Sequence, residues 1–85
     1  MRSLFFGRRK IGRQPADYFL LSEEYGDRCE SYGVEIALEN GERERIRGVT
    51  LSQRRILLLL TLLMKNAVTP TTLRDVVEDW LLTDR

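Results

Sequence analysis

The hydrophobic pattern of this chain changes period once, near residue 49. Before that point the apolar positions alternate. "ADYFLLS", residues 16–22, follows Pro15 and runs into the polar stretch "SEEYGDR" with its Gly26, which reads as a strand entering a turn. "SYGVEIALE", residues 31–39, sends Tyr32, Val34, Ile36 and Leu38 one way and Gly33, Glu35, Ala37 and Glu39 the other. A period of two with one polar side predicts a half-buried antiparallel strand.

"ENG", residues 39–41, closes the next hairpin, and the length of that loop decides the register. A two-residue Asn40-Gly41 turn would send Ile46 to the polar side. A three-residue loop, with Gly41 in the left-handed conformation, pairs Leu38 with Glu42 and Val34 with Ile46 and keeps Ile46 with its apolar neighbours. The second register is the expected one. "ERERIRGV", residues 42–49, then alternates charges in the manner of an exposed edge strand, where charge discourages edge-to-edge pairing.

After Val49 the period becomes about 3.6 residues. Thr50 with Gln53 fits a capping box, with Ser52 as a competing N-cap. The helix is expected to run to Lys65 and to stop at Asn66. Thr69 as N-cap and Pro70 at the first helical position restart it. Leu73, Val76, Val77, Trp80 and Leu81 then form one core-facing stripe, with Arg74, Asp75, Glu78 and Asp79 on the water side. The expected fold class is α+β: a three-stranded antiparallel meander followed by two helices packed on one face, β-β-β-α-α. Residues 16–85 make that one domain, and residues 1–15 a flexible basic N-terminal arm.

"ILLLLTLLMK", residues 56–65, has more apolar surface than one stripe. Ile56, Leu59, Leu60, Leu63 and Met64 fall on an arc about 140° wide, with Leu57 at its margin. Leu58 and Leu62, one turn apart, lie outside it among Arg54, Arg55, Thr61 and Lys65. Leaving them wet forgoes about 1.5 to 3 kcal/mol each, against roughly 5 to 15 kcal/mol for a whole domain. Two readings follow. In one, the chain forms a homodimer through this side of the helix; in the other, Leu4, Phe5 and Phe6 fold back over it, or the helix is buried between sheet and second helix. The strand at 16–22 is likewise apolar on both sides, Tyr18 and Leu20 against Phe19 and Leu21. Phe19 and Leu21 therefore join Leu58 and Leu62 as expected interface residues.

Composition narrows the chemistry. A chain of 85 residues buries only about 60 to 65% of its unfolded surface, so a supplement to the core is expected. With one cysteine, Cys29, and no histidine, an intramolecular disulfide and a Cys/His zinc site are excluded, and the commonest general base is missing. Oligomerisation is the supplement that remains. The 32% charged and 42% apolar fractions belong to a soluble globular chain rather than a disordered or membrane one. "MRSLFFG" is too short in apolar residues for a signal peptide, and the leucine run too short to span a bilayer, so a cytoplasmic location without membrane attachment is expected.

The net charge of +1 hides an asymmetry. Arg2, Arg8, Arg9, Lys10 and Arg13 stand at the front with no acid. The remaining nine basic residues face thirteen acidic ones, leaving the body at −4. A basic segment suggests phosphate contacts, and the alternative function is a nucleic-acid accessory protein using Arg8, Arg9, Lys10 and Arg13. Against it, such a segment is more often a solvated tail, and the second helix exposes three acids that would repel a duplex. Asp75, Glu78 and Asp79 are read as a solvated face rather than a metal site, and Cys29 as a plain strand cysteine. Without a phosphate-binding glycine loop, a Ser/His pairing or zinc spacing, no catalytic residue, cofactor or small-molecule ligand is predicted. The expected role is a non-enzymatic protein–protein interaction module that self-associates, with any other protein partner unknown.

"SEE" at 22–24, "SYGVEI" at 31–36 and "VTPTTLRDVVEDWL" at 68–81 carry a resemblance. Over residues 17–82 the chain resembles a small family of clostridial-type Gram-positive bacteria, a domain of unknown function. Relatives often have histidine where Thr72 stands, and any role of that histidine is lost here. The resemblance implies a bacterial cytosolic protein and no known activity, and the basic arm lies outside it.

Overall fold

The structure, a computed structural model, describes residues 1–83. Four strands precede two helices: β1 (Arg2–Ile11), β2 (Gln14–Glu24), β3 (Glu30–Leu38), β4 (Arg43–Thr50), α1 (Gln53–Lys65) and α2 (Pro70–Thr83). The strands pair antiparallel in the order β1-β2-β3-β4, and both helices pack on one face of that sheet. The α+β class and the meander are as expected, but the sheet has four strands, not three.

The extra strand is the segment expected to be an arm. Ile11 pairs with Gln14 across a two-residue loop whose Gly12 has φ 61°, the conformation that the first position of a tight hairpin turn demands. From there β1 pairs with β2 as far as Arg2, opposite Ser22, with a bulge between Phe5 and Gly7. The strand escaped the pattern because its basic residues fall on both faces: Arg8 lies opposite Asp17, away from the helices, and Arg9 opposite Ala16, beneath them. No apolar alternation announces such a strand.

The β3–β4 hairpin takes the three-residue loop. Val34 pairs with Ile46 and Ala37 with Arg43, the Leu38 N–H donates to the Glu42 carbonyl at 2.7 Å, and Gly41 has φ 98°. Further along, β4 bulges against β3, so that Tyr32 pairs with Thr50. At the bulge a Cβ on Gly33 would collide with the Ile46 carbonyl oxygen, which is why no side chain stands there.

The core lies between the sheet and the helices. Ala16, Tyr18, Val34 and Ile36 from the strands meet Ile56, Leu59, Leu60, Leu63, Leu73 and Val77 from the helices, all buried. The Tyr18 hydroxyl donates to the Val68 carbonyl at 2.8 Å inside this core and anchors the connection between the helices. Burial pushes the Tyr18 phenol above its ordinary value of 10.0, while the nearby Arg9 charge acts in the opposite sense. Between Thr50 and Ser52 as starting caps, the structure selects Ser52: its hydroxyl accepts the Arg55 N–H at 3.2 Å, and Thr50 holds the Ser52 N–H. Asn66 ends α1 as expected, followed by Ala67 at φ 50°. In α2, Leu73 and Val77 are buried and Val76 and Trp80 pack against the core. Leu81, expected in the same stripe, is exposed; it lies near the end of the helix.

Candidate functional site

The solvent side of α1 carries the feature that the fold leaves unexplained. Ile56, Leu59, Leu60 and Leu63 are fully buried, so the core stripe is complete without its neighbours. Leu58 remains 58% exposed and Leu62 37% exposed. Around Leu58 lies an open apolar depression lined by Gln53, Arg54, Leu57, Leu58 and Thr61. A second depression, lined by Phe6, Arg8, Arg9, Thr61, Met64 and Lys65, adjoins it at Thr61 along the border between α1 and β1.

The front of the chain does not close over this surface. Phe6 packs against the core, but Leu4 and Phe5 are themselves 44% and 60% exposed. Phe5 turns to the opposite face of the sheet, where its ring meets that of Phe19 edge-on at 5.9 Å. The two expected interface groups therefore occupy opposite sides of the molecule. Phe19 is half-buried beside Phe5, and Leu21 is not a surface residue at all, being 1% exposed.

Charged side chains lie across the face of the sheet that Leu21 shares with Phe19 and Glu23. Arg47 on β4 reaches past β3 to Glu23 on β2, at 2.6 Å, crossing where Gly33 presents no side chain. That hydrogen bond is the main reason the Glu23 carboxyl lies below its ordinary value. Beside it, Glu35 is 2% exposed although its position predicted a solvated side chain. Arg45 holds its Oε1 at 2.9 Å and Arg43 its Oε2 at 3.3 Å. The alternation of "ERER" thus encodes cross-strand ion pairs as much as a protected edge.

The four basic residues considered for nucleic acid do not share one surface. Arg8 is bound to Asp17 at 2.6 Å on the open face. Arg9 lies on the helix side, where its Nη1 donates to the carbonyls of Met64 and Lys65 at 3.0 and 3.3 Å. Lys10 is exposed on the strand and Arg13 in the turn after it. Among the described residues, no group of three or more acidic or cysteine side chains could hold a metal ion, and no helix is long and apolar enough to cross a membrane. Cys29 is exposed and free.

A model of a family of unknown function, DUF6514, matches residues 7–83. The chain belongs to DUF6514. The match extends the resemblance read from residues 17–82 forward into β1, so the DUF6514 pattern includes half of the strand that sequence periodicity missed. No curated protein and no solved structure matches this DUF6514 chain. The surface residues overlooked in its sequence include Leu81 and Leu82, 42% and 67% exposed at the end of α2, besides Tyr25 and Leu51 in the connections. Leu82 carried a readable signal, since it stands among Glu78 and Asp79 rather than on the stripe of Leu73 and Val77.

Proposed function

We propose that this DUF6514 protein is a non-enzymatic, cytoplasmic interaction module that associates with a second copy of itself through the solvent side of α1. The observation that carries the reading is the pair Leu58 and Leu62: both are exposed, one turn apart, on a helix whose burial is already satisfied by other residues. Covering each contributes on the order of 1 to 2 kcal/mol at these exposures, scaled from the value of a fully buried leucine. The chain is small enough for such an addition to matter. Closed two-fold symmetry is the commonest way for one patch to cover itself.

Light scattering on the purified chain tests this. The expected mass is twice the 10.0 kDa of one chain. A variant carrying Leu58→Glu and Leu62→Glu should keep its fold by circular dichroism and run at the mass of one chain. If that variant keeps the wild-type dimer mass, association occurs elsewhere.

A further inference from the structure

The two helices of the packed layer carry opposite charges. Within its span α1 contains Arg54, Arg55 and Lys65 and no acid; α2 contains Asp75, Glu78 and Asp79 against Arg74 alone. Arg54 and Lys65 are exposed, as are Asp75, Glu78 and Asp79. Each helix also leaves leucines in water, Leu58 and Leu62 on α1 and Leu81 and Leu82 on α2. The helices are neighbours on one sheet face, joined by residues 66–69, and Arg55 lies over the Trp80 ring at 5.0 Å.

Some of these charges stand at a helix end whose dipole has the same sign, whereas Lys65, in the last turn of α1, is favourably placed. Arg54 and Arg55 stand in the first turn of α1, where the backbone dipole already presents positive charge and the turn itself contains no acidic residue. Glu78 and Asp79 approach the C-terminal end of α2, where the last turn holds no basic residue. Within one chain the placement of the two arginines is mildly unfavourable. Against a second copy the charges become favourable in one geometry.

We propose that the second copy docks with its helix layer face to face on the first, α1 of each chain lying on α2 of the other. A two-fold axis running between and along the helices produces this arrangement. It sets Arg54 and Lys65 opposite the partner's acidic helix and brings Leu58 and Leu62 to the partner's exposed leucines. The alternative axis, across the helices, would place α1 on α1 and α2 on α2, basic on basic and acidic on acidic, and charge complementarity selects against it. The proposal rests on the self-association proposed above and adds which surfaces meet.

Charge reversal separates the two. One variant carries Arg54→Glu and Lys65→Glu, a second Asp75→Lys and Asp79→Lys, and a third all four substitutions; sedimentation gives the dissociation constant of each, with circular dichroism as the check on folding. Each two-site variant should dissociate at concentrations at least about tenfold higher than wild type. The four-site variant, and an equimolar mixture of the two-site variants, should recover the dimer. A wild-type dimer whose Asp75→Lys, Asp79→Lys variant keeps the wild-type dissociation constant would overturn the crosswise arrangement and leave self-association standing. A monomeric wild type would overturn both.

Discussion

Arg9 caps the C-terminal end of α1 at Met64: its guanidinium Nη1 donates to the Met64 carbonyl at 3.0 Å and to that of Lys65 at 3.3 Å. The last carbonyls of a helix have no partner within it and carry partial negative charge, so a cation supplied from strand β1 satisfies both needs. Arg9→Ala should therefore lower stability by about 1 kcal/mol. Arg9→Lys should recover part of the loss through its charge without the planar fork. Urea unfolding of the three proteins checks the order.

Tyr18→Phe removes one oxygen and leaves the buried Val68 carbonyl without its donor, at 2.8 Å in the native chain. A cost of about 1 kcal/mol is expected in a urea melt. The wild type should also be sensitive to alkali. The phenol's native value is raised above the ordinary 10.0, chiefly by desolvation, with the Arg9 charge opposing. Its contribution is therefore complete below pH 10 and lost as pH rises through the native value, since phenolate cannot donate to Val68. The phenylalanine variant should lack that part of the alkaline loss.

Gly33→Ala should be among the most disruptive conservative substitutions in the sheet. The added methyl meets the Ile46 carbonyl oxygen and, at 2.9 Å, the Arg47 Cα, both backbone atoms of the bulged strand. Displacing that strand should cost about 1 to 3 kcal/mol by thermal or urea unfolding. It should also pull Arg47 away from Glu23, whose pairing keeps that carboxyl below its ordinary value. That contribution exists above the unfolded carboxylate range and disappears as pH falls through the depressed native value.

Ala67→Gly should stabilise the protein. After the Asn66 cap, Ala67 sits at φ 50° and donates to Met64 while Val68 donates to Leu63, a helix ending that favours glycine. Relief of the left-handed alanine should outweigh the added freedom of the unfolded chain, raising stability by roughly 0.5 to 1 kcal/mol. A shift in the urea midpoint at unchanged slope reads it directly.

The parts of this fold that were legible in the sequence share a physical property: one face had to be apolar. Val34, Ile36 and Ile46 admit only one register that keeps them together, and Gly41 supplies the loop for it. Ile56, Leu59, Leu60 and Leu63 marked the buried side of α1, and Leu58 and Leu62 its exposed side. Strand β1 was illegible because its two faces are used by charge, Arg8 toward Asp17 and Arg9 toward the helix end. Glu35 misled for the same reason, since an acidic residue on an alternating strand reads as solvated until Arg43 and Arg45 close over it. Leu21 reads as a surface residue because it alternates with Phe19 on the face away from the helices, yet it is 1% exposed.

Sedimentation equilibrium of the wild-type chain across the micromolar range is the most direct test of self-association. The expected mass rises with concentration toward twice 10.0 kDa, with the transition abolished by Leu58→Glu and Leu62→Glu. A mass that stays at that of one chain throughout would contradict it.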